Sequence, residues 1–93
     1  MPKASIFFLS TGSGGRLTAP QSGFHPQVDL GGVHTSCIVE SLDGETLFSL
    51  GEEHKVSLKL MFPNQNQNPF KLAQVINLYE GDKRIGVGKI TEL

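Results

Sequence analysis

Residues 54–62 alternate strictly: Val56, Leu58, Leu60 and Phe62 are apolar, with Lys55, Ser57, Lys59 and Met61 between them. A two-residue period places the first set on one face of a β-strand and the second on the other. Shorter stretches of the same kind predict strands over 4–9, 27–30, 34–41, 45–50, 71–79 and 84–90. The 11 Gly and 5 Pro leave no uninterrupted amphipathic stretch of helix length, so the chain is expected to fold as many short strands. Asp43-Gly44 falls between two predicted strands and suits a hairpin turn, and 80–83 is expected to form the last hairpin. Gly86 and Gly88 interrupt the final strand, where a missing side chain permits a bulge or close backbone packing in a tightly curved sheet. Residues 63–69 hold only Asn and Gln between two prolines and read as an exposed loop. With no repeat and no dividing linker, residues 1–93 are expected to form one domain. Six or seven short strands in one domain point to an all-β barrel or sandwich.

Composition narrows the function classes. Charged residues make up 18% of the chain, below the usual ~25%, and 38% of residues are hydrophobic, enough for a small core. The net charge is −1, with −2 before Thr46 and +1 after it, so neither half is basic enough to imply nucleic acid by charge alone. The single cysteine, Cys37, has no partner for an internal disulfide, and the first ten residues lack the layout of a signal peptide. The longest apolar run, Ile6-Phe7-Phe8-Leu9, is far short of the ~20 residues a membrane helix needs. A cytoplasmic protein with no membrane contact is expected.

The residues that carry chemistry point mostly to ordinary structure. Thr11-Gly-Ser-Gly-Gly-Arg16 resembles a phosphate cradle, but it lacks the Gly-Lys-Ser/Thr ending of a nucleotide loop and runs on to Pro20. No nucleotide is expected. His34 and Cys37 have the spacing His-x-x-Cys, and His25 and His54 are available to complete a zinc set. Residues three apart on a strand face opposite sides, however, which separates His34 from Cys37 both as metal ligands and as a nucleophile–base pair. A small cysteine-dependent enzyme is therefore the remotest reading, and a buried thiol the expected one. The nine acidic residues are scattered over turns and strand edges, as a solvated surface requires. Of the seven aromatic residues, Phe7, Phe8, Phe24, Phe48, Phe62, Phe70 and Tyr79, most are expected in the core. No catalytic residue, metal ligand or cofactor is assigned.

Gly14-Gly15-Arg16-Leu17-Thr18, then Gly23-Phe24-His25-Pro26-Gln27, then Glu80-Gly81-Asp82-Lys83-Arg84-Ile85-Gly86-Val87-Gly88 follow one another in an order and spacing that resemble the third, C-terminal domain of elongation factor Tu. That family reads G-G-R-H-T, G-Y-R-P-Q and R-E-G-G-R-T-V-G-A-G. Between them, Gly51-Glu52-Glu53-His54-Lys55 and the strand that follows are similar to the family's G-D-N-x-K strand. The resemblance covers about Ser5 to Leu93 and implies a small closed six-stranded antiparallel β-barrel. It also implies a binding module without chemistry of its own. The family's domain packs on companion domains and lies along the T stem of aminoacyl-tRNA. The matching RNA-contacting positions are Arg16, Gln27, Ser36, Glu80 and Gly81, Ser36 standing for a family threonine. These residue types suit sugar, phosphate and groove-edge contacts.

The departures from the pattern remove positive charge. Leu17 stands where the family has histidine and His25 where it has arginine, and Val28-Asp29-Leu30-Gly31 replaces F-Y-F-R. Each lost phosphate contact lowers the salt slope of RNA binding by ~0.7–0.9. The expectation is a non-enzymatic module that binds a protein partner or a tRNA-like RNA. The alternative is a mimic or regulator that competes with elongation factor Tu for one of its partners.

Overall fold

The computed structural model describes residues 2–29, 32–61 and 70–93. Six strands form a closed antiparallel barrel: β1 (Lys3–Phe8), β2 (Gln27–Asp29), β3 (His34–Ser41), β4 (Glu53–Leu60), β5 (Val75–Glu80) and β6 (Lys83–Glu92), in the ring order β1-β4-β3-β2-β5-β6. The only other regular piece among the described residues is a single 3-10 turn at Thr11–Ser13. Closure gives every strand two neighbours and leaves no free edge for an added strand.

Period-two patterning decides which side chains fill the barrel. Ala4, Ile6 and Phe8 of β1, Val56 and Leu58 of β4, Cys37 and Val39 of β3, Val28 of β2, Ile76 and Leu78 of β5 and Ile85 and Ile90 of β6 are buried together. Phe48 and Phe70 enter this core from the connections. Around the ring, inward residues meet inward residues, as at Val56↔Ala4, Val39↔Leu58 and Val28↔Leu78. The β5–β6 hairpin turns on Gly81-Asp82, since Glu80 pairs with Lys83. Gly81 has φ +61° at the first central position, where a type II′ turn needs a residue free of a Cβ.

Three sequence expectations are corrected. Residues 45–50 form no strand; only an isolated bridge, Gln21↔Leu47, lies there, and Phe48 leaves the segment singly to plug the core. Asp43-Gly44 therefore does not turn between paired neighbours. Its bend is held by the Ser41 hydroxyl, which accepts from the backbone N–H groups of Asp43 and Glu45. The strand expected over 71–79 starts only at Val75, because Lys71–Gln74 closes a turn. There the Gln74 side chain accepts from the Lys71 N–H, and Ala73 takes φ +64°. The loop expected at 63–69, and Phe62, lie outside the described residues.

His54 continues the inward parity of Val56 and Leu58 and is buried. Its Nδ1 lies 3.0 Å from Glu45 Oε1 and its Nε2 3.0 Å from the Ser49 carbonyl oxygen. Both partners are acceptors, so both ring nitrogens donate only in the imidazolium form. Burial lowers the histidine's pKa, but the bonds to Glu45 and Ser49 and the charges of Glu45 and Glu52 outweigh it, and the net direction is upward from 6.5. A raised folded value makes this contribution fully present below about pH 6.5 and lost as pH rises through the folded value. The thermal midpoint is therefore expected to be higher at about pH 6 than at about pH 9, with a smaller difference in Glu45→Gln. Equal differences in the two proteins would rule out this pair as the cause.

Candidate functional site

The outward faces of β3, β2, β5 and β6 align four side chains in one row. Ser36 pairs with Gln27, Gln27 with Tyr79, and Tyr79 with Arg84. Each lies beside an inward core residue: Cys37, Val28, Leu78 and Ile85. Alternation thus turns the polar groups outward by the same rule that buries their neighbours. One step along, Asp29 pairs with His34, and the His34 ring stacks on Tyr79 at 4.4 Å between centroids with 23° between planes.

The rim of this row is built by the long connection between β1 and β2. Gly15 is buried, its N–H donating to the Ser10 carbonyl at 2.9 Å. The Thr11 hydroxyl donates to the Arg16 carbonyl at 2.7 Å, which fixes where Arg16 leaves the loop. The guanidinium then meets two partners: Nε lies 3.3 Å from Glu80 Oε1, and Cζ sits 5.7 Å from the Phe24 ring centroid. Phe24 rests in turn on Phe8 and Phe48, with centroids at 5.9 and 6.2 Å. Core packing therefore supports the position of Arg16 at the surface.

The five positions taken from the resemblance are contiguous. Arg16 is joined to Glu80, Gly81 follows Glu80 in the hairpin, and Gln27 is the register partner of both Ser36 and Tyr79, the residue before Glu80. Of the departing positions, Leu17 is 82% exposed and His25 is exposed nearby. Sequence reasoning missed Tyr79 and His34 as members of this face. Parity carried the signal, since an inward Leu78 requires an outward Tyr79.

Electrostatically the face is close to balanced. Glu80 and the Phe24 ring answer the Arg16 charge, Asp29 lies beside His34, and among the described residues Arg84 reaches only Asn77 Oδ1, at 3.5 Å. Such a surface offers hydrogen-bonding groups and two stacked rings rather than a cationic track.

Cys37 and His34 lie on opposite faces of β3, the thiol in the core and the ring outside. Burial pushes the Cys37 thiol up to about 12, far from a thiolate at neutral pH. Among the described residues, no group of three or more His, Cys, Asp or Glu is placed to hold a metal ion, and no helix is long and apolar enough to cross a membrane. No protein-family model matches the chain, and no curated protein matches it.

Proposed function

We propose that the chain is a non-enzymatic binding module whose docking face is the Ser36-Gln27-Tyr79-Arg84 row with the Arg16–Glu80 pair at its rim, and that the partner it takes there is a protein. The observation that carries the reading is the Arg16–Glu80 contact at 3.3 Å, laid over Phe24. An arginine already matched by a carboxylate offers a polar partner a defined geometry while offering a polyphosphate little net charge. Mixed polar groups around a central tyrosine are the composition of protein-docking surfaces, where Tyr and Arg carry much of the energy. The resemblance to a domain that docks on companion domains points the same way.

The RNA reading keeps one observation in its favour, the His34–Tyr79 stack beside Gln27 and Ser36, since exposed rings and amides suit unstacked bases and ribose hydroxyls. Two measurements on the same variants separate the readings. A photo-crosslinking residue at Ser36 should yield one adduct of defined mass in growing cells, reduced by Gln27→Ala and Tyr79→Ala. Titration with charged and uncharged tRNA at two salt concentrations should show no saturable binding. If tRNA instead binds saturably, weakens with salt and loses affinity about fivefold in Gln27→Ala, the face is an RNA surface and the protein reading fails. If the adduct partner is shared with elongation factor Tu, which the chain resembles, excess factor displaces it.

A further inference from the structure

A line of rings joins the docking face to a titratable group in the core. The Arg16 guanidinium lies over Phe24, Phe24 meets Phe48 with centroids 6.2 Å apart, and Phe48 meets the His54 ring edge-on at 5.3 Å. A second path runs through Phe8, 5.9 Å from Phe24 and 5.8 Å from His54. Buried on β4, His54 is thus two ring contacts from the platform that carries Arg16. Phe48 belongs to the connection between β3 and β4. Backbone bonds from the Phe48 N–H to the Pro20 carbonyl and from the Ser22 N–H to the Thr46 carbonyl tie that connection to the one between β1 and β2. His54 ties it to β4, through Glu45 at Nδ1 and the Ser49 carbonyl at Nε2, both at 3.0 Å.

Only the imidazolium has two N–H groups to give to two acceptors; a neutral ring has one. The carboxylate is the stronger acceptor and keeps that proton on Nδ1. Nε2 then faces the Ser49 carbonyl oxygen with no hydrogen between them, and the repulsion acts on the residue next to Phe48. From β1 the ring meets Ile6, its register partner, and Phe8, neither of them charged. Asp43, on the same connection, and Glu53 and Lys55, on β4, are exposed to solvent. Burial disfavours the cation, but the bonds to Glu45 and Ser49 and the charges of Glu45 and Glu52 outweigh it, so the change of charge falls above pH 6.5.

We propose that the charge on His54 regulates the docking face by setting the position of Arg16. The imidazolium holds the β3–β4 connection so that Phe48 supports Phe24, and Phe24 supports Arg16 opposite Glu80. Loss of the proton to solvent pushes Ser49 away, draws Phe48 with it and loosens the Arg16–Glu80 pair. The face is therefore set on the acid side of the transition and relaxed on the alkaline side. Its regulatory sense rests on the docking reading above, whereas the coupling from His54 to Arg16 is a property of the barrel itself.

The test is a pH titration of the isotope-labelled protein by NMR, from about pH 5 to about pH 9, following the two ring nitrogens of His54 and the Nε and Cζ signals of Arg16. His54 is expected to carry two protons at the acid end and one, on Nδ1, at the alkaline end, and the Arg16 signals should move with the same midpoint. Exchange of the Phe48 amide, corrected for its intrinsic pH dependence, should rise about tenfold across that midpoint. Glu45→Gln, at a partly exposed position and checked by a thermal melt, should lower both midpoints together. In the double variant His25→Gln, His34→Gln, which removes the exposed histidines near the face, the Arg16 transition should persist. Its disappearance there, an Arg16 signal that stays flat while His54 titrates, midpoints that separate in Glu45→Gln, or a His54 ring that keeps one protonation state throughout would each overturn the proposal. No partner enters this titration, so the two readings fail separately. Saturable tRNA binding at Gln27 overturns the protein-docking reading and leaves the coupling standing, and a flat Arg16 signal does the reverse.

Discussion

Gly88→Ala is expected to cost about 3 kcal/mol or more in urea unfolding, the upper end of what overpacking a filled core costs. A Cβ on Gly88 would run into the Ser5 carbonyl oxygen and into Ile6, where its nearest backbone atom, Cα, lies 3.0 Å away. Backbone atoms yield only if the strand moves, and β1 is hydrogen-bonded to β4 on one side and β6 on the other. In a closed ring, that displacement passes to every neighbour. Gly86 provides the control within the same strand: its added Cβ would meet Ile6 Cγ2 at 3.3 Å, which a side-chain adjustment of a few tenths of an ångström relieves, and Phe7 O at 3.4 Å, an ordinary van der Waals contact. Gly86→Ala should therefore cost ~1 kcal/mol, near the lower end of the same range. Urea midpoints at unchanged m-value decide the matter, and equal losses for the two variants would mean that β1 and β6 are not pressed together at Gly88.

The parts of the fold that were legible in the sequence are those where one local rule acts alone. Period-two patterning located β4 and put Val56 and Leu58 on one face, whereas His54, which the sequence offered only as a zinc ligand, shows its inward place in the folded chain alone. The Gly81-Asp82 turn was legible because a hairpin with a glycine at its first central position has few alternatives. Residues 45–50 misled because Leu47, Phe48 and Leu50 look like a strand while serving three separate ends. Leu47 bridges Gln21, Phe48 stacks on Phe8 at 5.0 Å, and Leu50 packs on the edge of the core. The turn before β5 was hidden because alanine is not a residue one expects at φ +64°, and a Gln74 side-chain bond holds it there. Ring order is a property of long-range pairing, and no local signal encodes that β2 lies between β3 and β5.

At the site, the resemblance brought forward five positions and the structure makes them neighbours, but the partners that set their chemistry were not legible. The Arg16 charge reads in the sequence as free for a phosphate, and only the folded chain brings Glu80 to it across 64 residues. His34 reads as half of a metal motif with Cys37, yet its neighbour in space is Tyr79, reached over β2. Charge compensation and ring stacking across strands depend on register. Register follows from the whole ring, and a stretch of sequence determines only which face a residue takes.

Phe8→Ala is expected to be the most damaging single truncation, costing about 3–5 kcal/mol. Phe8 is fully buried and stacks on Phe48 at 5.0 Å and 21°, tilts against Phe24 at 5.9 Å and against His54 at 5.8 Å. Removing it opens a cavity beneath three rings, each of which loses aromatic contact worth ~0.5–1.5 kcal/mol beyond its buried area. With native stabilities of about 5–15 kcal/mol, the variant is left marginal. The effect should also reach the surface, because Phe24 loses one of the two rings it rests on and shifts beneath the guanidinium of Arg16, which it helps to hold opposite Glu80. In Phe8→Leu, which keeps most of the volume, stability should largely return while the Arg16 Nε–H resonance still shifts from its wild-type position. Phe7→Ala, one residue along but facing outward, should leave both the midpoint and that resonance nearly unchanged. If Phe7→Ala moves the Arg16 signal as far as Phe8→Leu does, the guanidinium is not positioned through the aromatic core, and its geometry must come from the Glu80 pair alone.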